Sequence, residues 1–448
     1  QSSGGLMSLE RSRSFPVRTA LSGPAAGVLG AVQAGREAGR GNVITLDMGG
    51  TSADVCLIED FEYDISFTRE VADFPIRLPT VDVHTVGAGG GSLVWFDRDG
   101  LLKVGPQSAG ADPGPACYGR GGTKPTVTDA NFVLGRLSPQ GLLGGRMALQ
   151  RDSARKAFEP IAERLGFSVE KAALGSLGIV AANMVRAIRT ISVERGHDPR
   201  ECALMAFGGA GPLHAAAVAR ELGIGEIIVP AAPGILCAQG LIVSDLKEDF
   251  VQSTRISLDE TNRSAIEAVM HELADTASAW FDQEGVVQAE RRLRASFDMR
   301  YQGQNFELPV YLGDEGDPGI VSIPSTDELY QLFFAAHERH YGFHNPDDPV
   351  EIINLRVTAS AKLTAIERLT TPKTGGEEPS PKEVRQVYFD ANGPQDTPVY
   401  DRPTLRAGDG FDGPAIIEQL DTTTVVHPSD QVRVDQAMNL LIKVRLHE

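Results

Sequence analysis

The stretch VITLDMGGTSADVCLI, residues 43–58, places an aspartate and two glycines between two apolar runs. Residues 43–46 read as a strand, Gly49-Gly50 as a tight turn and residues 55–58 as the returning strand. Two-residue hairpins usually turn on Asn-Gly or Asp-Gly, so an acid two positions ahead of Gly-Gly-Thr calls for another reason. Bare glycine backbone exposes successive N–H groups, which together make a nest for a phosphate, and Thr51 adds a hydroxyl donor. Asp47 is then placed to orient a phosphate-bound Mg²⁺ through water, or to orient the attacking group. The competing reading is an ordinary hairpin with a structural aspartate, and a motif this short does not choose between them.

The rest of the chain offers ample protein around that turn. Its 448 residues suffice for two or three domains with cores of their own. With 42 Lys and Arg against 60 Asp and Glu, the net charge is -18 and the pI is near 5.0. That balance argues against a nucleic-acid or anionic-membrane partner. The four cysteines, Cys56, Cys117, Cys202 and Cys237, form no CxxC pair and no metal-finger spacing, which suits a reducing compartment. No apolar run reads as a membrane span and no signal pattern opens the chain, so a cytoplasmic protein is expected. Gln1 is not an initiator residue, and QSSGGLMSLERSRSFPV reads as the middle of a domain.

Along the chain, SGPAAGVLGAVQAGREAG (from Ser22) reads as a helix capped by Ser22, with Pro24 in its first turn and small residues for close packing. Residues 81–105 hold a glycine run and a second hairpin turning at 97–100. Residues 106–129, PQSAGADPGPACYGRGGTKPTVTD, are too long for an ordinary connection and read as functional. Helical patterns fill about 150–165 and 170–196. After about Asp249 come an amphipathic helix (258–285), a strand pair in RRLRASFDMRYQGQNFELPVYL, a helix near 326–340 and a strand at 351–363. A polar linker spans 370–383 and short alternating strands close the chain. No internal repeat is visible.

CALMAFGGAGPLHAAAVARELG, residues 202–223, is strand, glycine turn and helix. A turn that bare lets a flat or anionic ligand approach a helix N-terminus, although a tight structural turn is the commoner reading of such a sequence alone. Two glycine turns in this order, followed by the small-residue helix containing Cys237-Ala238-Gln239-Gly240, resemble the second half of the actin/hexokinase/Hsp70 ATPase superfamily. There a phosphate hairpin precedes an adenosine turn.

A more specific resemblance covers nearly the whole chain. SGPAAGVLGA, TLDMGGTSADV, VHTVGAGGGSLVWFD, SAGADPGPACYGRGGTKPTVTDANFVLGRL, SVERGHDPR, AFGGAGPLHA, DMRYQGQNFELPV and GPAIIEQLDTTTVV are similar to the hydantoinase A/oxoprolinase family. The resemblance implies ATP-dependent opening of cyclic amides such as 5-oxoproline or hydantoins, or service as an ATP-using subunit of a ketone carboxylase. It places Asp47, Gly49, Gly50 and Thr51 on the family's second phosphate motif and Gly208, Gly209 and Gly211 on its adenosine turn. Family members begin with another DxGGTxTD hairpin, which this sequence lacks. The resemblance therefore implies a missing N-terminal segment that forms the opposite wall of the cleft. It also implies a B-type partner subunit and homo-oligomers.

Other residues carry two readings each. His84, beside the Gly87–Gly91 run, suits a ligand or proton carrier, or a structural hydrogen bond. Asp112, Cys117 and Asp129 lie in the long loop. Cys117 as a nucleophile needs a base beside it, and a buried inert cysteine is commoner. Asp129 orients substrate or caps the helix that NFVLGRL begins. Arg186, Arg189 and Arg195 read as solvated helix arginines before phosphate ligands, and His337, His340 and His344 as helix-end histidines before a metal site.

The expected fold is α/β: an actin-like ATPase half-domain (1–249), an α+β region (250–369) and a β-rich C-terminal module (370–448). The expected function is an ATP- and Mg²⁺-dependent cyclic amidohydrolase subunit acting on a small cyclic amide. The rivals are a ketone carboxylase subunit making an enol phosphate and a non-catalytic nucleotide-binding scaffold. Asp47, Thr51, His84, Asp112 and Asp129 form the candidate catalytic set. Gly49, Gly50, Thr51, Gly208, Gly209 and Gly211 form the nucleotide set, with Asp47 toward the metal.

Overall fold

The strand Val43–Met48 is buried on both faces, with Asp47 half-buried near its end, as expected for a central strand with helices on each side. In the computed structural model, which describes residues 1–66, 69–71, 74–76, 78–313, 322–362 and 378–446, this strand pairs in parallel with Ala203–Phe207. That strand in turn pairs in parallel with Glu226–Val229. On the other side Val43–Met48 pairs antiparallel with Ala53–Glu59, closing the hairpin of the quoted stretch. Glu62–Tyr63 and His84–Val86 both add to Ala53–Glu59.

Sheet pleating divides the side chains between two helical layers. Val43, Met205 and Phe207 face Ser22–Ala38 and Leu236 of the helix Leu236–Ile242. Ile44, Leu46, Leu204 and Ala206 face the helices Val127–Val133, Val169–Ile191 and Gly211–Leu222. Each fully buried aliphatic side chain of this kind contributes about 1.5–3 kcal/mol. The small residues of Ser22–Ala38 serve a close helix crossing: a Cβ on Gly30 would stand 2.7 Å from the Leu236 carbonyl oxygen. Its start differs from expectation. Ser22 is already helical, and Leu21 holds the cap position with a φ of 61° and no side-chain cap bond.

The helix Val169–Ile191 starts on Ser168, whose hydroxyl accepts from the Lys171 N–H. Together with the turn after it (Val169–Arg195), it is long and apolar enough by length and composition to cross a membrane, contrary to the expectation that no such run exists. Leu177, Val180, Met184 and Ile188 are nevertheless buried in the main core. The high hydropathy is that of a core helix.

Two compact units divide the chain, and their boundaries differ from those expected. The larger unit includes the C-terminal strands. Leu440–Lys443 pairs antiparallel with Glu226–Val229, and Gln431–Val434 and Gly410–Asp412 follow it in the same sheet. Glu383–Tyr388, Pro394–Asp401, Ala415–Glu418 and Thr423–Val426 form a second small sheet, whose Val387, Val399 and Ile416 join the main core. The expected C-terminal module is thus the continuation of the first region. Of the expected linker, residues 370–377 lie outside the described residues.

The smaller unit is built on an antiparallel sheet in the order Leu246–Ser257, Val350–Ala361, Arg291–Tyr301, Leu308–Tyr311. The helices Arg263–Gln283 and Thr326–Tyr341 contribute Met270, Phe281, Leu329 and Phe333 to its core. Residues Gly5–Ala20 belong to this unit. The Leu6 N–H donates to the Asp245 carbonyl, and Arg11 and Arg18 pair with the buried Glu248 at 2.9 and 2.7 Å.

Candidate functional site

Two adjacent parallel strands end side by side in the larger unit, Asp47 opposite Phe207. Beyond those ends the chain makes its two glycine turns. The carboxyl end of a parallel sheet is where α/β folds bind ligands.

The hairpin turn is closed by the Gly49 N–H donating to the Ser52 carbonyl at 3.0 Å. Its carbonyls are held from behind: Gly49 O accepts from the Gly90 N–H at 3.0 Å and Gly50 O from the Gly91 N–H at 2.6 Å. The Gly90 carbonyl in turn accepts from both the hydroxyl and the N–H of Thr128, each at 2.8 Å. A Cβ on Gly89 would lie 2.5 Å from the Thr51 backbone, so the Gly87–Gly91 run is a bare platform under the turn. With the carbonyls held there, the Gly50 and Thr51 N–H groups donate to no acceptor among the described residues. A Cβ on Gly49 or Gly50 would meet nothing within 4 Å. The protein itself does not require glycine at either position.

Asp47 sits between the turns. The Cys237 thiol donates to its Oδ2 at 3.1 Å, and a Cβ on Gly208 would lie 2.5 Å from its Oδ1. Gly208 has a φ of 77°, so the second turn needs glycine for both conformation and room. Burial raises the Asp47 carboxyl above its ordinary range. The Cys237 hydrogen bond offsets part of that rise, and the negative charge of Asp54 adds to it. Asp54 lies directly across the hairpin and accepts from the Thr85 hydroxyl at 2.5 Å. A partly desolvated carboxylate beside bare amides attracts a hydrated cation or a polar hydrogen. Among the described residues no cluster of three or more His, Cys, Asp or Glu is grouped to hold a metal. A divalent ion here would therefore take Asp47 and otherwise depend on ligand or water oxygens.

The second turn is fastened on three sides. The Gly208 N–H donates to the Pro233 carbonyl at 3.0 Å, the Ala210 N–H to Met48 O at 2.9 Å, and the Thr422 hydroxyl to Gly209 O at 3.1 Å. Gly211 opens the helix that follows, Gly211–Leu222. The Gly209 N–H donates to no acceptor among the described residues.

The remaining candidates fall elsewhere. His84 is exposed and paired with Val55. Since Asp47, Asp54 and Thr85 share one face of the sheet, Val55 and His84 share the other. Asp112 is exposed in the loop after Leu102–Ser108. Asp129 is fully buried and accepts from the N–H groups of Ala116 (3.1 Å), Cys117 (2.7 Å) and Thr126 (3.0 Å) and from the Thr126 hydroxyl (2.7 Å). It stands at the third position of the helix Val127–Val133 in a reciprocal capping box with Thr126. Thr126 is therefore the cap, where Asp129 was the expected one, and Asp129 organises the loop. Its saturated carboxylate, buried under the loop, fits that role and not contact with a substrate. Cys117 is buried, and burial pushes its thiol well up, beyond nucleophilic use at neutral pH. Arg186 and Arg189 are exposed, and Arg195 pairs with Asp82. His337 is buried with its Nδ1 against the Phe343 carbonyl, and His344 pairs with Glu338.

Four residues to which the sequence reading gives no role of their own join the site. Cys237, Thr128, Asp421 and Thr422 converge through the tertiary fold. The small-residue character around Cys237 is the one sequence feature that marks a close approach.

Comparison with known proteins follows the same geometry. Residues 1–250 match the Hydantoinase/oxoprolinase family and residues 255–444 its C-terminal domain. The caprolactamase subunit alpha of Pseudomonas jessenii is 36% identical over 442 residues, covering 97% of this chain and 63% of that protein. The crystal structure of that ATP-dependent caprolactamase superposes with a TM-score of 0.80 at 35% identity, over 94% of this chain and 61% of the other. The 5-oxoprolinase of Dictyostelium discoideum is 31% identical over 461 residues, 97% of this chain and 35% of its own length. The nucleotide-free structure of an acetone carboxylase, solved to address ATP-dependent acetone carboxylation, matches with a TM-score of 0.79 at 28% identity, covering 95% of this chain and 61% of the other. The chain thus spans less than two thirds of the length of these relatives. Its fold is the mixed α/β fold of those structures, and the chain belongs to the hydantoinase/oxoprolinase family.

Proposed function

We propose that this chain is the ATP-using part of a cyclic-amide hydrolase. The carrying observation is the set of undonated Gly50, Thr51 and Gly209 N–H groups around Asp47, at the carboxyl ends of neighbouring parallel strands. In this reading the larger unit is one half of an actin-like nucleotide fold, with Gly49, Gly50 and Thr51 at the phosphates and Gly208, Gly209 and Gly211 at the adenosine. The open space at Gly49 and Gly50 fits a phosphate that must meet backbone. Magnesium, when bound, neutralises phosphate charge; of the residues present, Asp47 would hold it.

An amide carbonyl is a poor electrophile. Transfer of the γ-phosphoryl of ATP to the amide oxygen gives ADP and makes phosphate the leaving group. Water then adds at the carbon, the ring C–N bond breaks to give an amine and an acyl phosphate, and a second water hydrolyses the acyl phosphate to release phosphate and the opened amino acid. The chain's part is positioning: bare amides bind developing negative charge, and Asp47 orients the reacting group. Thr51, exposed at the turn with its hydroxyl bonded to no described residue, adds a donor there. A further subunit, a homo-oligomeric assembly and a cytoplasmic setting belong to the same proposal. The word subunit in the caprolactamase name supports the first of these, and the four free cysteines suit the reducing compartment of the last. The acetone carboxylase likeness favours a second reading, ATP-dependent activation of a ketone for carboxylation.

The deciding experiment offers the whole protein ATP with a lactam, 5-oxoproline or hydantoin, and in parallel acetone or acetophenone with bicarbonate. Phosphate release stimulated by a cyclic amide, with ring opening, supports the proposal. Stimulation by ketone alone supports the second reading, and ATP binding without any stimulation a scaffold. Gly209→Val tests the adenosine turn separately. The nearest atom to a Cβ there is the Asp421 carbonyl oxygen at 3.6 Å, so the added bulk enters the cleft, and unchanged ATP affinity in the folded variant would refute that placement.

A further inference from the structure

The turn at 419–422, between the strands Ala415–Glu418 and Thr423–Val426, reaches the glycine turn from more than two hundred residues away. Three hydrogen bonds fasten it. The Thr422 hydroxyl donates to Gly209 O at 3.1 Å, the Asp421 Oδ2 accepts from the Gly234 N–H at 2.9 Å, and the Gln419 side-chain amide donates to the Ala231 carbonyl at 2.8 Å. The fit is close, since a Cβ on Gly234 would stand 2.6 Å from the Asp421 Cβ. Asp421 therefore holds the loop whose Pro233 carbonyl accepts from the Gly208 N–H. Both turn peptides are fixed through this one contact, Gly209 directly and Gly208 through the 231–234 loop.

The peptide between Gly209 and Ala210 is held at both ends, its oxygen by Thr422 and its N–H by Met48 O. Two glycines in a row otherwise sample many conformations. Fixing them before the ligand arrives removes an ordering cost from binding. We infer that Asp421 and Thr422 are positioning residues for the nucleotide turn, supplied by the C-terminal part of the chain, and that they set affinity for the nucleotide and leave the chemical step alone. This rests on the nucleotide reading of the Gly208–Gly211 turn.

The test measures ATP binding to the whole protein by calorimetry, alongside KM for ATP and kcat, for Thr422→Val, Asp421→Ala and Asp421→Asn. Thr422→Val is nearly isosteric and removes only the hydroxyl donor. It and Asp421→Ala are expected to weaken ATP binding about five- to tenfold, the scale of one lost hydrogen bond, with KM for ATP rising in step. In both, kcat at saturating ATP and KM for the organic substrate should stay within about twofold. Asp421→Asn keeps an oxygen for the Gly234 N–H and should retain near-wild-type affinity. If Asp421→Ala fails to fold, Thr422→Val and Asp421→Asn carry the decision. Unchanged affinity in folded Thr422→Val, or a fall in kcat at saturating ATP with affinity kept, would overturn the inference while Gly209→Val still reports on the turn. Wild-type protein that binds no ATP would overturn both the inference and the nucleotide reading beneath it.

Discussion

The Asp47 turn and the Asp129 loop are both glycine-rich, acidic and part of the same core, yet they use their hydrogen-bonding capacity in opposite ways. Around Asp129 every carboxylate bond is internal: three backbone amides and one hydroxyl converge on it, and it is fully buried. Around Asp47 one thiol is the donor among the described residues, and the adjacent turn holds its carbonyls to the protein while its Gly50 and Thr51 amides donate to no described acceptor. The glycines follow the same division. Gly208 and Gly89 are demanded by neighbouring backbone, whereas Gly49 and Gly50 are not. Under the proposed function, a glycine that the fold does not need, beside an amide that the fold does not use, is where a phosphate would meet the backbone.

That contrast can be broken most directly at Asp129. Replacing it by Ala leaves three buried N–H groups without their acceptor, and we expect a loss of roughly 3–5 kcal/mol in chemical unfolding. Stability unchanged would show that Asp129 does not organise its loop. Asp47→Asn should do the reverse. Its melting temperature should match the wild type while ATP turnover in the whole protein falls roughly 100-fold. Turnover within about twofold would remove Asp47 from the chemistry.

The glycine pair sharpens the same division. Gly208→Ala forces a Cβ at positive φ against the Met48 backbone and should cost roughly 2 kcal/mol. Gly49→Ala should stay within about 0.5 kcal/mol of wild type in unfolding, yet weaken ATP binding by calorimetry. Equal stability losses in both variants would dissolve the distinction.

The smallest effect concerns the seam between the two regions. His214, on the helix after the glycine turn, is buried with its Nε2 3.3 Å from the Asn131 side-chain amide of the Asp129 helix. Burial, with Arg136 nearby, lowers its pKa to about 3. The folded protein thus keeps it neutral while the unfolded chain takes up a proton below about 6.5. Stability is full above that value and falls as the pH drops from 6.5 toward 3, by at most about 1.4 kcal/mol per pH unit. Unfolding at pH 7.5 and 5.5 should differ by roughly 1 kcal/mol from this group, and His214→Gln should flatten the slope. His427 is shifted the same way by burial and by Arg136 and Arg220. An unchanged slope in His214→Gln would show that His214 does not contribute.

Much of this was legible in the residues because it is local. The Asp47 hairpin, the strand–turn–helix at 203–222 and the long helices announce themselves through periodicity, small residues and turn chemistry. Even so, Thr126 and not Asp129 caps its helix, because a capping box reads almost the same whichever of its two members is taken as the cap. What could not be read is pairing at a distance. LLIK at 440–443 declares a strand but not that its partner is Glu226–Val229, so the closing strands read as a separate module. Cys237 and Thr422 are ordinary residues in sequence, and become part of the site only through which backbone they meet. His84 was drawn to the site by its glycine neighbours, and sheet register alone decides that it lies on the far face.

The pairing of Leu440–Lys443 with Glu226–Val229 also sets a timetable. During synthesis the strand Glu226–Val229 emerges long before its antiparallel partner, and at 5–20 residues per second the interval is roughly ten to forty seconds. Throughout that interval one edge of the growing sheet has unpaired amides and carbonyls beside fully apolar Ile227 and Ile228, the arrangement that invites pairing with another nascent chain. The smaller unit, encoded in between, can finish first. For this protein a premature stop a few codons from the end of the sheet would leave both glycine turns present in sequence, yet with an adhesive edge in place of a closed one.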